Sequence, residues 1–159
     1  DEASGFQSVQ FREVEMICGH RSTHILEVHK DQPQYLERMK ERMKEPTIWE
    51  RFCEFLQHKG YDVEMSEREN EHGLLYNPSD HNQDILLDIM NNDQELAMLC
   101  ELLVDFDEGM QEWRYRHVKM VERTIGNKMG TGGSSGVDYL RKTLHQRIFP
   151  DLWEIRSDI

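Results

Sequence analysis

LAMLCELLVDFDEGMQEWRYRHVKMVERTIG, residues 96–126, is the stretch on which the fold turns. Leu96, Leu99, Leu103, Phe106, Met110, Trp113, His117 and Val121 recur at spacings of three and four. That is the period of one face of an α-helix. Gly126 closes the run and Gly109 marks a place for a bend within it. Working outward, Ser4 and Gln7 have capping-box spacing ahead of Val9, Phe11, Val14 and Ile17, with Gly19 as the stop. A short helical stretch is expected over residues 23–30. Pro33 opens a charged helix with Tyr35, Leu36, Met39 and Met43 as its apolar stripe, and Pro46 ends it. Thr47 and Glu50 form another capping box before Ile48, Phe52, Phe55 and Leu56, and Gly60 stops that helix.

Residues 61–81, YDVEMSERENEHGLLYNPSDH, show no sustained period and read as an irregular connection. A helical run resumes near Asn82. Within the loop GTGGSSG at 130–136, Ser134 or Ser135 can cap a last long helix through Val137, Leu140 and Leu144. Pro150 then opens a short terminal helix, DLWEI. No stretch of strict alternation is long enough for a strand, so the expected architecture is all-α, a helical bundle packed by its apolar stripes.

A chain of 159 residues is one domain or a large piece of one. At 37% hydrophobic and 31% charged it has a soluble, globular composition. No run approaches the ~18 apolar residues of a membrane helix. DEASGFQSVQ offers neither the basic nor the apolar region of a secretory signal, and it lacks an initiator Met. Cys18, Cys53 and Cys100 are odd in number and widely spaced, with no CxxC, which points to reduced thiols and a cytoplasmic protein.

The formal net charge of −12 argues against nucleic acid as a partner. The charge is uneven. Residues 83–112 hold nine acids and no Lys or Arg. Residues 114–128 hold Arg114, Arg116, Lys119, Arg123 and Lys128 against Glu122 alone. Two solvated faces that attract each other account for this pattern; service to an anionic ligand is the sharper reading.

His117 shares its helix face with Trp113, Met110 and Val121. Periodicity alone favours a core histidine satisfied by its neighbours. A ligand role gains from the surroundings: a large aromatic and soft aliphatics suit a flat apolar cofactor, and the nearby cations suit carboxylates such as haem propionates. No second His or Cys lies within a helical turn, so a zinc cage is poorly supported, whereas haem needs one strong axial ligand. GTGGSSG lacks the Gly-Lys-Ser/Thr ending of a Walker loop. It is either a flexible connection or a set of backbone N–H groups, with the Thr131 hydroxyl, offered to a carboxylate. Cys18, His20 and His24 form a loose cluster in which Gly19 and Arg21-Ser22-Thr23 argue for a turn rather than a metal site. His29, His58, His72, His81 and His145 read as surface residues, Trp49 and Trp153 as packing residues. No Ser or Cys stands in a nucleophile elbow.

SGFQSVQFREVE at 4–15, WRYRHVKMVERTIGNKMGTGGSSGVDYLR at 113–141 and FPDLWEIRS at 149–157 resemble the tryptophan 2,3-dioxygenase family, colinearly at both ends of the chain. Residues 31–97 match it only in helical character. The resemblance implies an all-helical haem b enzyme, homotetrameric and cytoplasmic, that binds O2 and L-tryptophan. It would insert both oxygen atoms across the indole C2–C3 bond to give N-formylkynurenine, the first step of the kynurenine pathway. It implies His117 as the axial ligand of the haem iron, with Trp113 beside the cofactor. Thr131, flanked by Gly130 and Gly132, would contact the substrate's ammonium and carboxylate, and Ser4 and Gly5 would lie over the distal face. The family's N-terminal portion, which supplies the distal histidine and the carboxylate-clamping arginine, has no counterpart in these residues. Residues 1–159 are therefore expected to be a single helical domain, the C-terminal portion of a larger catalytic domain. It would be completed by a missing N-terminal portion or a complementary chain, and be catalytically incompetent alone. Two other readings remain at this point: a related haem-dependent enzyme acting on another aromatic amino acid, and a non-catalytic haem-binding or helical interaction module.

Overall fold

The structure is a computed structural model, and it describes residues 9–20, 26–27, 30–65, 67–70, 73–76, 78–126, 141 and 143–159. Six α-helices are seen among these: α1 Val9–Ile17, α2 Pro33–Arg42, α3 Ile48–His58, α4 Asp80–Asn92, α5 Gln94–Ile125 and α6 Pro150–Glu154. One hairpin, β1 Glu67–Asn70 with β2 Gly73–Tyr76, lies between α3 and α4. Short 3₁₀ turns cover Thr143–His145 and Ile155–Ser157. The helical fold expected from the sequence is the one observed. None of the described helices is long and apolar enough to cross a membrane.

Local chemistry sets the helix ends. Gly19 and Gly60 take positive φ angles of 94° and 96°, where a side chain would be strained, and they close α1 and α3. The Thr47 side chain accepts from Glu50 N at 3.1 Å, and Thr47 N donates to the Glu50 carboxylate at 2.6 Å, completing the capping box. The sequence run from 82 onward divides at Asp93, whose extended backbone separates α4 from α5 and whose carboxylate accepts from Leu96 N at 3.1 Å. Helix α5 then passes through Gly109 without interruption for 32 residues.

Residues 61–81 correct the expectation of an irregular connection. Glu67 pairs with Tyr76 and Asn70 with Gly73, antiparallel. The strand EREN contains no apolar residue, so no hydrophobic alternation announces it. The expected long helix through Val137, Leu140 and Leu144 lies outside the described residues up to 140, and Thr143–His145 is a single 3₁₀ turn. The cap at Ser4 and the helix expected at 23–30 also fall outside them, apart from Leu26, Glu27 and Lys30.

The main core joins Trp49, Phe52, Cys53 and Leu56 of α3 with Leu86 and Ile89 of α4, Leu96, Cys100 and Val104 of α5, and Ile148, Phe149, Leu152 and Ile155 of the C-terminal segment. Each large side chain buried there contributes about 2 kcal/mol. A smaller cluster pairs Phe11 of α1 with Val118 of α5, and a third pairs Met16 of α1 with Met39 of α2. Phe55 and Tyr35, expected on apolar stripes, are exposed.

The buried line of α5 is not the one the apolar period marks. Leu96, Cys100, Val104, Asp107, Arg114, His117 and Val118 are its buried residues, so of the expected line only Leu96 and His117 are fully buried, while Phe106 and Trp113 are exposed and Leu99, Leu103, Met110 and Val121 sit at the boundary. The helix is rotated because two of its innermost positions are charged. Asp107 Oδ2 accepts from Ile148 N at 2.8 Å, Phe149 N at 3.1 Å and Trp153 Nε1 at 2.9 Å. Arg114 Nη1 donates to the Gln146 carbonyl at 2.8 Å. At the other end of the segment, buried Asp151 accepts from Ser79 N at 2.7 Å and Gln83 Nε2 at 3.0 Å. Arg156 grips Glu101 through two bonds of 2.8 and 3.0 Å.

Asp107→Ala leaves three buried donors without an acceptor, each worth about 1 kcal/mol or more. The expected loss is at least ~3 kcal/mol in urea unfolding; a loss under ~0.5 kcal/mol would contradict the anchoring role. Thr47→Ala, which removes only the α3 cap, is expected to cost about 1 kcal/mol.

Candidate functional site

His117 stands at the edge of the buried face of α5, one turn after Arg114 and one turn before Val121. Its imidazole is 7% exposed, and Nε2 is closed to solvent. Burial pulls its pKa below the ordinary 6.5, because desolvation penalises the imidazolium. The neutral ring is the form that ligates a metal. Trp113, four residues earlier, stacks on this ring with centroids 5.3 Å apart and planes 15° off parallel. Phe11 stacks on Trp113 in turn at 4.4 Å and 22°. Three flat side chains, one from α1 and two from α5, therefore meet in a single stack, with α1 held against α5 by Phe11 and Val118.

On the solvent side of this stack an apolar shelf continues along α5. Met98, Leu102, Phe106, Trp113 and Met120 are all exposed, and their spacing keeps them on one side of the helix. Gly109 lies on the same side, and a Cβ built there would meet nothing within 4 Å. Trp113 is 38% exposed and Met120 55%, large values for such apolar groups within two turns of a buried histidine. Beside the shelf runs an open groove of about 450 Å³ lined by Tyr115, Arg116, Lys119, Met120, Arg123 and Thr124.

The described residues fit a flat, apolar, carboxylate-bearing metal complex in three respects: a neutral imidazole, a broad apolar surface beside it, and cations at its margin. Nε2 is closed to solvent in this conformation, so a metal reaches it only when the atoms that cover it move. Among the described residues no group of three or more His, Cys, Asp or Glu is placed to hold a bare metal ion. Cys18 and His20 are buried, and His24 lies outside the described residues. Burial pushes the Cys18 thiol up to about 12, far from a thiolate ligand at neutral pH.

Of the remaining site residues expected from the sequence, Ser4, Gly5, Gly130, Thr131 and Gly132 lie outside the described residues. His58 Nδ1 and His81 Nε2 bond backbone carbonyls at 2.6 Å on the surface, and His145 is exposed, as expected. Trp49 is a packing residue in the core. Trp153 has more than a packing role, since its indole N–H reaches Asp107. The sequence reading missed the buried placements of Asp107 and Arg114. Their one signal was position: both fall on the helix face that also carries Cys100, Val104 and Val118.

A family model described as Tryptophan 2,3-dioxygenase matches residues 82–159, which contain α5, His117 and the C-terminal segment. The chain is 47% identical over 161 residues to a tryptophan 2,3-dioxygenase of Herpetosiphon aurantiacus, covering 100% of this chain and 60% of that protein. The chain belongs to the tryptophan 2,3-dioxygenase family. Other relatives so named are those of Anaeromyxobacter dehalogenans, 45% identical over 99% of the chain and 59% of the relative, and Ralstonia nicotianae, 36% identical over 99% and 55%. The chain thus spans somewhat more than half the length of the curated relatives it matches. Within this dioxygenase family chain, the segment that resembles the family through WRYRH is also the one that buries an imidazole beside an open apolar shelf.

The titration of His117 has a definite sign. The folded state holds the imidazole proton less tightly than the unfolded chain, so His117 reduces stability as pH falls below about 6.5 and has no such effect above it. A proton NMR titration of its ring is expected to give a midpoint below 6.5; a midpoint at or above that value would show that burial does not govern it.

Proposed function

We propose that the protein to which this chain belongs is a haem-dependent dioxygenase that inserts both atoms of O2 across the indole C2–C3 bond of L-tryptophan. The product is N-formylkynurenine, and the reaction opens tryptophan catabolism. The observation that carries this reading is the buried, neutral His117 at the edge of the exposed Trp113–Met120 shelf, in a chain 47% identical to a tryptophan 2,3-dioxygenase. Haem b, when bound, supplies a ferrous iron that takes up and activates O2.

The residues of this chain have distinct parts in that scheme. His117 would hold the iron of the haem through its neutral imidazole nitrogen. Stacking on Trp113 limits rotation of the His117 ring, so the nitrogen is offered in a fixed plane. Trp113 and Met120 present an apolar surface that keeps water from one face of the cofactor. Arg114 and Asp107 act at a distance from the reacting atoms: by holding Gln146, Ile148, Phe149 and Trp153 they set the rotation of α5, and with it the direction His117 faces.

For the residues outside the described set the reading follows the family resemblance. Thr131, with Gly130 and Gly132, receives the ammonium and carboxylate of L-tryptophan, and Ser4 and Gly5 lie over the oxygen-binding face. The remaining distal groups belong to other parts of the protein. A homotetramer in the cytoplasm is the assembly this reading assigns.

A haemin titration of the chain and its His117→Ala variant, followed by Soret absorbance with and without dithionite, tests the reading. The native chain is expected to give a histidine-ligated spectrum in both oxidation states and the variant to lose it. An unchanged spectrum in the variant would move the axial ligand elsewhere.

A further inference from the structure

Four cations lie within ten residues on the α5 stretch around His117, and they are not equivalent. Arg114 is fully buried and does not line the groove; its Nη1 donates to the Gln146 carbonyl, while Nε and Nη2 are closed to solvent. Arg116 pairs with Glu112 at 2.5 Å. Lys119 pairs with Glu122 at 2.9 Å, and Glu122 also takes Arg141 at 2.7 Å. These two cations hold the Glu122 carboxyl below its usual range, as expected for an acid engaged on both oxygens. Arg123 is exposed and, among the described residues, makes no ion pair or hydrogen bond. Glu122 beside it in sequence is already engaged.

Arg123 is also well placed. It is six residues after His117, about 9 Å further along the helix axis. It lines the same groove as Met120, the last exposed apolar residue of the shelf. A porphyrin anchored at His117 and spread over Trp113 and Met120 has its two carboxylates at one edge, away from the iron. The groove offers a guanidinium at such a margin, with Arg116 lining the same groove about two turns back.

Resting on the haem reading above, we infer that Arg123 is the carboxylate anchor of the cofactor. The planar guanidinium donates two N–H groups to one propionate in the bidentate manner that Arg suits better than Lys. The competing explanation is that Arg123 only complements the negative end of the helix, since it lies in the last turn of α5. That role affects helix stability and is indifferent to what the ligand carries.

The test is a pair of Soret titrations on the chain, one with haemin and one with haemin dimethyl ester, whose carboxylates are capped. Arg123→Gln is expected to weaken haemin binding about tenfold and to leave the ester's affinity unchanged. Arg123→Lys should recover part of the loss. Arg51→Gln, which removes an equal charge from the exposed face of α3, should change neither. Equal weakening for haemin and ester, or no weakening for either, overturns the anchor while a His117-dependent spectrum leaves the haem reading standing. A native chain with no His117-dependent spectrum overturns both. Circular dichroism at the titration temperature separates a folding defect from a binding one, and a variant that is fully helical yet weakened only for haemin supports the anchor.

Discussion

One carboxylate oxygen of Asp107 accepts three hydrogen bonds from the chain's last dozen residues, and the arrangement of α5 follows from it. A charge this deep is tolerable only when donors surround it, and here they come from backbone N–H groups that would otherwise be buried without acceptors. The C-terminal segment lacks regular structure from Gln146 to Phe149, so it cannot satisfy its own backbone there. Asp107 solves the problem of the segment, and the segment solves the problem of Asp107. With Arg114 fixed to Gln146 a further two turns along, α5 has no freedom to roll about its axis. His117, one turn later, is thereby set at the edge of the buried face, beside the exposed apolar shelf.

The same feature explains what was legible in the sequence. Apolar periodicity found α5 and its end at Gly126, and capping chemistry found Thr47, Pro33 and Pro150, because these signals are local. The rotation of α5 was not legible, since the period counts Asp107 and Arg114 as outward-facing and their partners lie more than thirty residues away. Phe106 and Trp113 were accordingly read as inward when they are exposed. The hairpin at residues 67–76 escaped because EREN carries no side-chain pattern at all. For the site, His117 was readable as an unusual residue on an apolar face. Its stacking partner Phe11 was not, because no local signal connects α1 to α5 across a hundred residues.

A buried imidazole whose pKa is held down, an aromatic ring stacked on it and an apolar shelf beside it are three conditions that the proposed role of His117 requires. They are met by a single helix and one residue of α1. The shelf extends well beyond the two residues a cofactor face needs. Met98, Leu102 and Phe106 continue it to about four turns before Trp113, in a chain that spans somewhat more than half the length of its relatives. Apolar area of this extent is normally covered in the working assembly.

Cys18, Cys53 and Cys100 are buried free thiols, and that bears on chemistry with oxygen. Burial pushes Cys18, Cys53 and Cys100 each up to about 12. At neutral pH the nucleophilic thiolate is then scarce at each position. Peroxide and other partly reduced oxygen species attack the thiolate, so all three positions resist the first rung of sulfur oxidation through protonation as well as through lack of access. A chain can in this way keep sulfur at the centre of its core, where the size and softness of the atom favour packing, without making that core a target of oxidants.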